Sequence, residues 1–151
     1  MLRLSKLTDY ATVILSHIAK ESGETHSALC VAEATGIALP TVSKVLKILV
    51  NAKVLVSTRG IKGGYALARP PENISVAEVI SALEGPIAVT ECSISHESCE
   101  QASGCSISGN WGLINQAIRN TLESISLADM IKPANVPQEF MIPVSSLYRP
   151  I

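Results

Sequence analysis

Cys92, Cys99 and Cys105 fall within fourteen residues of a 151-residue chain, with six residues between the first pair and five between the second. Serine, glycine, glutamate and glutamine occupy most of the intervening positions, so the segment has too little apolar surface to build a core and needs a guest to order it. Thiolates select soft metal centres, either zinc or iron held in clusters. The segment is therefore a candidate metal centre. No secretory leader or membrane span is legible, so the expected setting is the cytoplasm. Thiols stay reduced there, and clustered cysteines point to metal or redox chemistry ahead of structural disulfides. The fourth cysteine, Cys30, lies among Leu29, Val31 and Ala32 in an apolar helical stretch and is expected to be a buried, inert thiol. Trp111 and Tyr65 are expected to pack, and His17 to sit at the surface or its boundary without a special role.

The elements that must carry this loop begin with a basic region. Net charge is only -1, yet six of the twelve Lys and Arg residues (Lys44, Lys47, Lys53, Arg59, Lys62, Arg69) fall between positions 34 and 71, which contain no acid. A solvated face would ordinarily interleave acids, so this asymmetry points to double-stranded DNA as partner. Residues 8–22 have helical periodicity in Ala11, Ile14, Leu15 and Ile18, with Thr8 as the expected cap, Gly23 as the stop, and Asp9 in the first turn. Ser27 is expected to cap a short helix, Ala28–Thr35, that Gly36 ends. Pro40 is expected to open a second helix at its first position, burying Val42, Val45, Leu46 and Leu49 and leaving Thr41, Ser43, Lys44 and Lys47 for DNA. Two such helices around a glycine turn make a helix-turn-helix.

Residues 53–57 and 65–68 have the composition of two strands around a tip with Arg59, Gly60, Lys62, Gly63 and Gly64. A basic, glycine-rich hairpin after a recognition-type helix is a wing, with Arg59 and Lys62 as its DNA contacts. Ser75 and Glu78 form a capping box for a helix over 76–84, closed by Gly85. After the thiol loop, Trp111, Ile114, Ile118, Leu122 and Ile125 make one apolar stripe on a helix over 110–127. Such a helix either folds back on its own core or pairs with a second copy, and pairing is favoured because two recognition helices usually address two half-sites. From Lys132 onward four prolines and no helical period suggest a mobile tail. With apolar residues at 47% and aromatic ones at 3%, the core should be aliphatic. The expected class is mainly α with a small β-hairpin. Its divisions are a winged helix-turn-helix domain (1–85), a cysteine loop (86–108), a dimerisation helix (109–130) and a tail (131–151). No nucleophile-base constellation or phosphate-binding glycine loop is present, so an enzyme is not expected, nor a small-molecule substrate.

With these pieces in place the chain resembles the iron-sulfur-dependent winged-helix transcription regulators of the IscR and NsrR family. The resemblance rests on Leu7-Thr8-Asp9-Tyr10-Ala11, on the run from Ser57 to Tyr65, on Val76-Ala77-Glu78-Val79-Ile80, and on the three cysteines followed by Trp111. The recognition helix and Leu83-Glu84-Gly85-Pro86 are most similar to the branch regulating the SUF cluster-assembly operon. The resemblance implies a homodimeric, cytoplasmic repressor whose operator affinity follows an iron-sulfur cluster, 2Fe-2S ahead of 4Fe-4S, on Cys92, Cys99 and Cys105. IscR-like members place a histidine three residues after the third cysteine, where this chain has Ser108. NsrR-like members use an aspartate of the partner subunit's first helix, which matches Asp9. Asp9 is thus the leading fourth ligand, with His96, Glu97, Glu100, Glu91, His26 and an exogenous ligand as alternatives. Two other readings keep the fold. In one the loop holds structural zinc, and in the other Cys99 and Cys105 form a disulfide on oxidation.

Overall fold

The computed structural model describes residues 3–21, 23–60, 63–95, 99–100 and 104–133. Lys62, His96, Glu97 and the tail from 134 onward lie outside the described residues.

Helix α1 spans Lys6–Lys20 and buries Ala11, Ile14, Leu15 and Ile18 completely or nearly so, as their spacing predicts. It starts two residues earlier than expected. Ser5 is the cap, accepting from Thr8 N, and Thr8 is fully buried at the third helical position. The Thr8 hydroxyl instead donates to Glu84 Oε1 at 2.5 Å, and Ser5 N donates to the same oxygen at 2.7 Å. These bonds tie the start of α1 to a residue 76 to 79 positions away, and they hold the Glu84 carboxyl below its ordinary value, the Thr8 bond first. A lowered carboxylate stabilises the fold above its ordinary value of 4.5 and loses that contribution as pH falls through the lowered one. Glu84→Ala should cost about 1–2 kcal/mol at pH 7 in chemical denaturation, because Thr8 is left buried without its charged acceptor. The difference from wild type should shrink at acid pH.

Helices α2 (Ala28–Thr35) and α3 (Leu39–Asn51) follow, bent 119° from one another. Ser27 caps α2 and Gly36 ends it at φ 69°, both as expected. In α3 the cap is Ala38, so Pro40 takes the second helical position and not the first. Val42, Val45, Leu46 and Leu49 are fully buried. The chain leaves α3 through Lys53 at φ 60°, a left-handed turn whose N–H bonds to Val50 O, and this turn moves the first strand start from 53 to 55. Strands β1 (Leu55–Thr58) and β2 (Gly64–Leu67) form the antiparallel hairpin, with Leu55 opposite Leu67 and Thr58 opposite Gly64.

His26, between α1 and α2, extends this hairpin by pairing its backbone with Tyr65, both bonds at 2.9 Å. The approach explains Gly64: a Cβ there would stand 2.7 Å from His26 O and 2.8 Å from its carbonyl carbon, and backbone cannot turn aside. Gly64→Ala should destabilise the protein by about 1–3 kcal/mol and shift β2 away from His26, measurable as a lowered melting point.

After a 3-10 turn at Pro71–Asn73, α4 (Val76–Glu84) carries the full Ser75–Glu78 capping box. Helix α5 (Ser108–Ser124) is shorter than the stripe suggests, since Ile125 is its C-cap. There the chain returns to the domain: Val76 N donates to Ile125 O at 2.9 Å, and Leu127 N donates to Ile74 O at 2.7 Å. A second capping box, Ser126 with Asp129, opens α6 (Leu127–Ile131), which buries Leu127 in the main core beside Ile14, Val31, Leu46, Ile74 and Val79. That core is aliphatic throughout, as the composition predicts. Among the described residues, no single helix is long and apolar enough to cross a membrane.

Candidate metal centre and DNA-binding face

The thiol loop occupies one end of an arm. The chain leaves the domain at the end of α4, passes through the cysteines, and comes back along α5, which packs on α4. Cys92 lies in a 3-10 turn, Glu91–Ser93, formed as Ser93 N donates to Thr90 O at 3.0 Å. Its Sγ stands 3.2 Å from Thr90 Oγ1, which is also 2.9 Å from Ser93 Oγ. Cys105 lies three residues before α5, and its carbonyl accepts from Ser108 Oγ at 3.1 Å and from Ser108 N at 3.5 Å. Cys92, Cys99 and Cys105 are all free and half-buried. Thiols of this kind are reachable from solvent, and three of them on one loop without core residues suit a polynuclear metal centre by donor chemistry. Among the described residues, the loop thiols do not form a group with three ligand atoms within 4.8 Å of one another.

Of the residues weighed as a fourth ligand, Glu91 and Glu100 are exposed beside the thiols, and Asp9 is exposed in the first turn of α1, where its carbonyl accepts from Thr12 Oγ1. Ser108 is occupied by Cys105 O. His26 is drawn into a different group, 3% exposed and pairing its backbone with the hairpin. Cys30 corrects the sequence reading outright: it is exposed, because Val31 and Ala32 take the inward face of α2 and leave residue 30 outside.

Two residues of this region were missed. Asn115 clamps the approach to the loop, accepting from Val89 N at 3.1 Å and donating to Ile87 O at 3.3 Å. It stands four residues after Trp111 and three before Ile118, so a polar residue on an apolar stripe was the available signal. Thr90, hydrogen-bonded to Cys92, had no signal beyond its nearness in sequence. The stripe itself divides. Ile118 and Leu122 face a groove with Ile80, Pro86 and Val89, while Ile114 is 45% exposed and Leu113, just off the stripe, 73%. Trp111 and Ile125 are half-buried.

Ser43, Lys44 and Lys47 are exposed along one face of α3, opposite its buried valines and leucines, and Thr41 is half-buried. Arg59 is exposed at the hairpin tip, next to Gly60 at φ 116°. Arg69 is committed elsewhere, donating to Glu78 of α4 at 2.9 Å. The 119° angle between α2 and α3 suits a helix-turn-helix, and the hairpin packs against α3 through β1.

Comparison with known proteins agrees with this architecture. The model of the Rrf2 family, described as iron-dependent transcriptional regulators, matches residues 4–133. The regulator IscR of Xenorhabdus nematophila is 32% identical over 136 residues, covering 89% of this chain and 82% of its own. Among solved structures, the global cysteine regulator CymR of B. subtilis matches with TM-score 0.68 and 30% identity over 87% of this chain and 97% of its own. T. potens IscR matches with TM-score 0.66 and 28% identity over 93% and 96%. These relatives are transcription regulators and not enzymes, and the chain itself belongs to the Rrf2 family of winged-helix, DNA-binding transcription regulators.

Proposed function

We propose that the chain is a homodimeric repressor whose operator affinity is set by an iron-sulfur cluster, and that it controls cluster-assembly genes of the SUF type. The observation that carries this reading is the position of three free, half-buried thiols on a loop joining α4 of the DNA-binding domain to α5. Cys92, Cys99 and Cys105 would hold the cluster, 2Fe-2S ahead of 4Fe-4S, with Asp9 of the partner subunit supplying the fourth ligand. An oxygen ligand at one iron leaves a corner open to oxidants, which suits a centre that must be lost on cue. The exposed part of the α5 surface at Ile114, with Trp111, Ile118, Leu122 and Ile125, is the proposed dimer seam. Ordering the loop would then fix the distance between the two α3 helices, and a 30-fold change in operator affinity needs only about 2 kcal/mol of coupling.

The likeness to a cysteine regulator supports a second reading, in which the same fold senses through its thiols or keeps structural zinc. Anaerobic purification with iron, acid-labile sulfide and zinc assayed per chain separates them. Iron and sulfide in matching amounts, lost in air together with a change in operator affinity, are expected. Zinc alone, or no metal after reconstitution, would overturn the cluster reading and leave the DNA-binding one standing.

A further inference from the structure

We infer that His17, His26 and Cys30 form a second metal site, separate from the loop thiols, for a divalent ion of the zinc class. One ring nitrogen of each histidine and the Cys30 thiol lie within 4.8 Å of one another. Tetrahedral bonds of about 2.0–2.1 Å to nitrogen and about 2.3 Å to sulfur set these ligand atoms roughly 3.3–3.6 Å apart, so a closure of about an ångström brings the three onto one ion. The second observation is electrostatic. Nε2 of His17 and Nε2 of His26 are both buried without a hydrogen-bond partner, although His26 is only 3% exposed. Buried polar nitrogens are ordinarily paired, and a shared cation satisfies both at once.

Glu21 completes the pattern. Its Oε2 lies 3.6 Å from His26 Nδ1, on the far side of that ring from Nε2. A carboxylate that closes to hydrogen-bond distance of one imidazole nitrogen when a metal binds orients the ring with the other nitrogen toward that metal. The two rings meet edge to face with centroids 5.4 Å apart, which leaves them on adjacent sides of a common point. Cys30 is exposed, so an ion can enter on its side and a solvent ligand can fill the fourth position. Two imidazoles and a thiolate suit zinc and its neighbours and disfavour magnesium or calcium.

The three ligands come from three elements: the last turn of α1, the strand segment paired with the hairpin, and the first turn of α2. Occupancy therefore fastens the segment paired with β2 at Tyr65 to α1 and to the first helix of the helix-turn-helix. The full chain carrying Cys92→Ser, Cys99→Ser and Cys105→Ser retains Cys30 as its sole thiol, so its titration with cobalt(II) is independent of whether the loop holds a cluster. One equivalent of cobalt should bind with a thiolate-to-metal charge-transfer band, zinc should displace it, and the melting temperature should rise. Adding Cys30→Ser should erase the band, His17→Gln should abolish stoichiometric binding, and Glu21→Gln should weaken it by about 10–100-fold. In the wild-type chain, one equivalent of zinc beyond that held by the loop should protect Cys30 from alkylation in peptide mapping. Absence of the cobalt band, a band indifferent to His17→Gln, or unprotected Cys30 at saturating zinc would each overturn the site.

Discussion

In the Cys99→Ala variant, iron and acid-labile sulfide should fall to background while the winged domain stays folded. Cys99 is the middle thiol of the loop, and its loss leaves two thiolates thirteen positions apart in sequence, too few to retain a cluster. The domain core, by contrast, is built by α1, α2, α3, α4 and α6 through residues such as Ile14, Val31, Leu46, Val79 and Leu127. No loop cysteine belongs to it. Stability of the variant prepared without metal should therefore match that of metal-free wild type to within about 0.5 kcal/mol, the range of surface substitutions. Operator affinity should take the metal-free value whether or not iron and sulfide are supplied, a difference of about 30-fold from reconstituted wild type if the coupling is about 2 kcal/mol. Cys30→Ser, at the exposed thiol outside the loop, is the control that should keep the full iron content. Wild-type iron, sulfide and visible spectrum in Cys99→Ala would remove the loop from the account.

The parts of the fold that could be read in sequence are those where one local rule decides the outcome. Gly36 ends α2 because a left-handed residue must stand there, and the Ser75–Glu78 capping box starts α4 because both of its bonds are local. The buried faces of α1 and α3 follow from helical spacing alone. What escaped was long-range. Ser5 outcompetes Thr8 as the cap of α1 because Thr8 has a distant acceptor, Glu84, that no window of sequence contains. Lys53 adopts a glycine-like turn because α3 must reverse into the hairpin, and that shortens the strand expected to begin there. Cys30 was assigned to the interior from its apolar neighbours, yet α2 is only eight residues long and its inward side is fully supplied by Val31 and Ala32. The proximity of the two histidines was illegible for a related reason. His17 and His26 are nine residues apart with a turn between them, and only the folded chain brings both beside Cys30.

The thiol loop is a middle case. Its residue types disclose metal chemistry, and its setting between α4 and α5 follows from the order of elements, but the anchoring by Asn115 and the hydrogen bond from Thr90 depend on packing. The apolar stripe of α5 was equally ambiguous. Ile118 and Leu122 lean toward α4 and the segment after it, whereas Leu113 and Ile114 do not. One periodic pattern thus serves two surfaces, and periodicity by itself cannot divide them.

The double substitution Lys44→Ala with Lys47→Ala should have the largest effect on DNA binding, because both lysines are exposed on the outward face of α3 in a segment that holds no acid. Each phosphate contact contributes about -0.9 to the slope of log affinity against log salt concentration. Removing two should flatten that slope by about 1.8, which corresponds to roughly 60-fold lower affinity at 0.1 M salt when affinities at 1 M are equal. The loss should be similar on operator and on unrelated duplex, since phosphate contacts carry no sequence information. Metal content should be unchanged, as neither lysine lies on the arm that bears the thiols. Arg59→Ala should act differently if the hairpin tip enters a narrow minor groove: its penalty should depend on A-tract sequence beside the half-site. An unchanged salt slope in the double variant, measured by titrating labelled operator at several salt concentrations, would mean that α3 does not present this face to the DNA backbone.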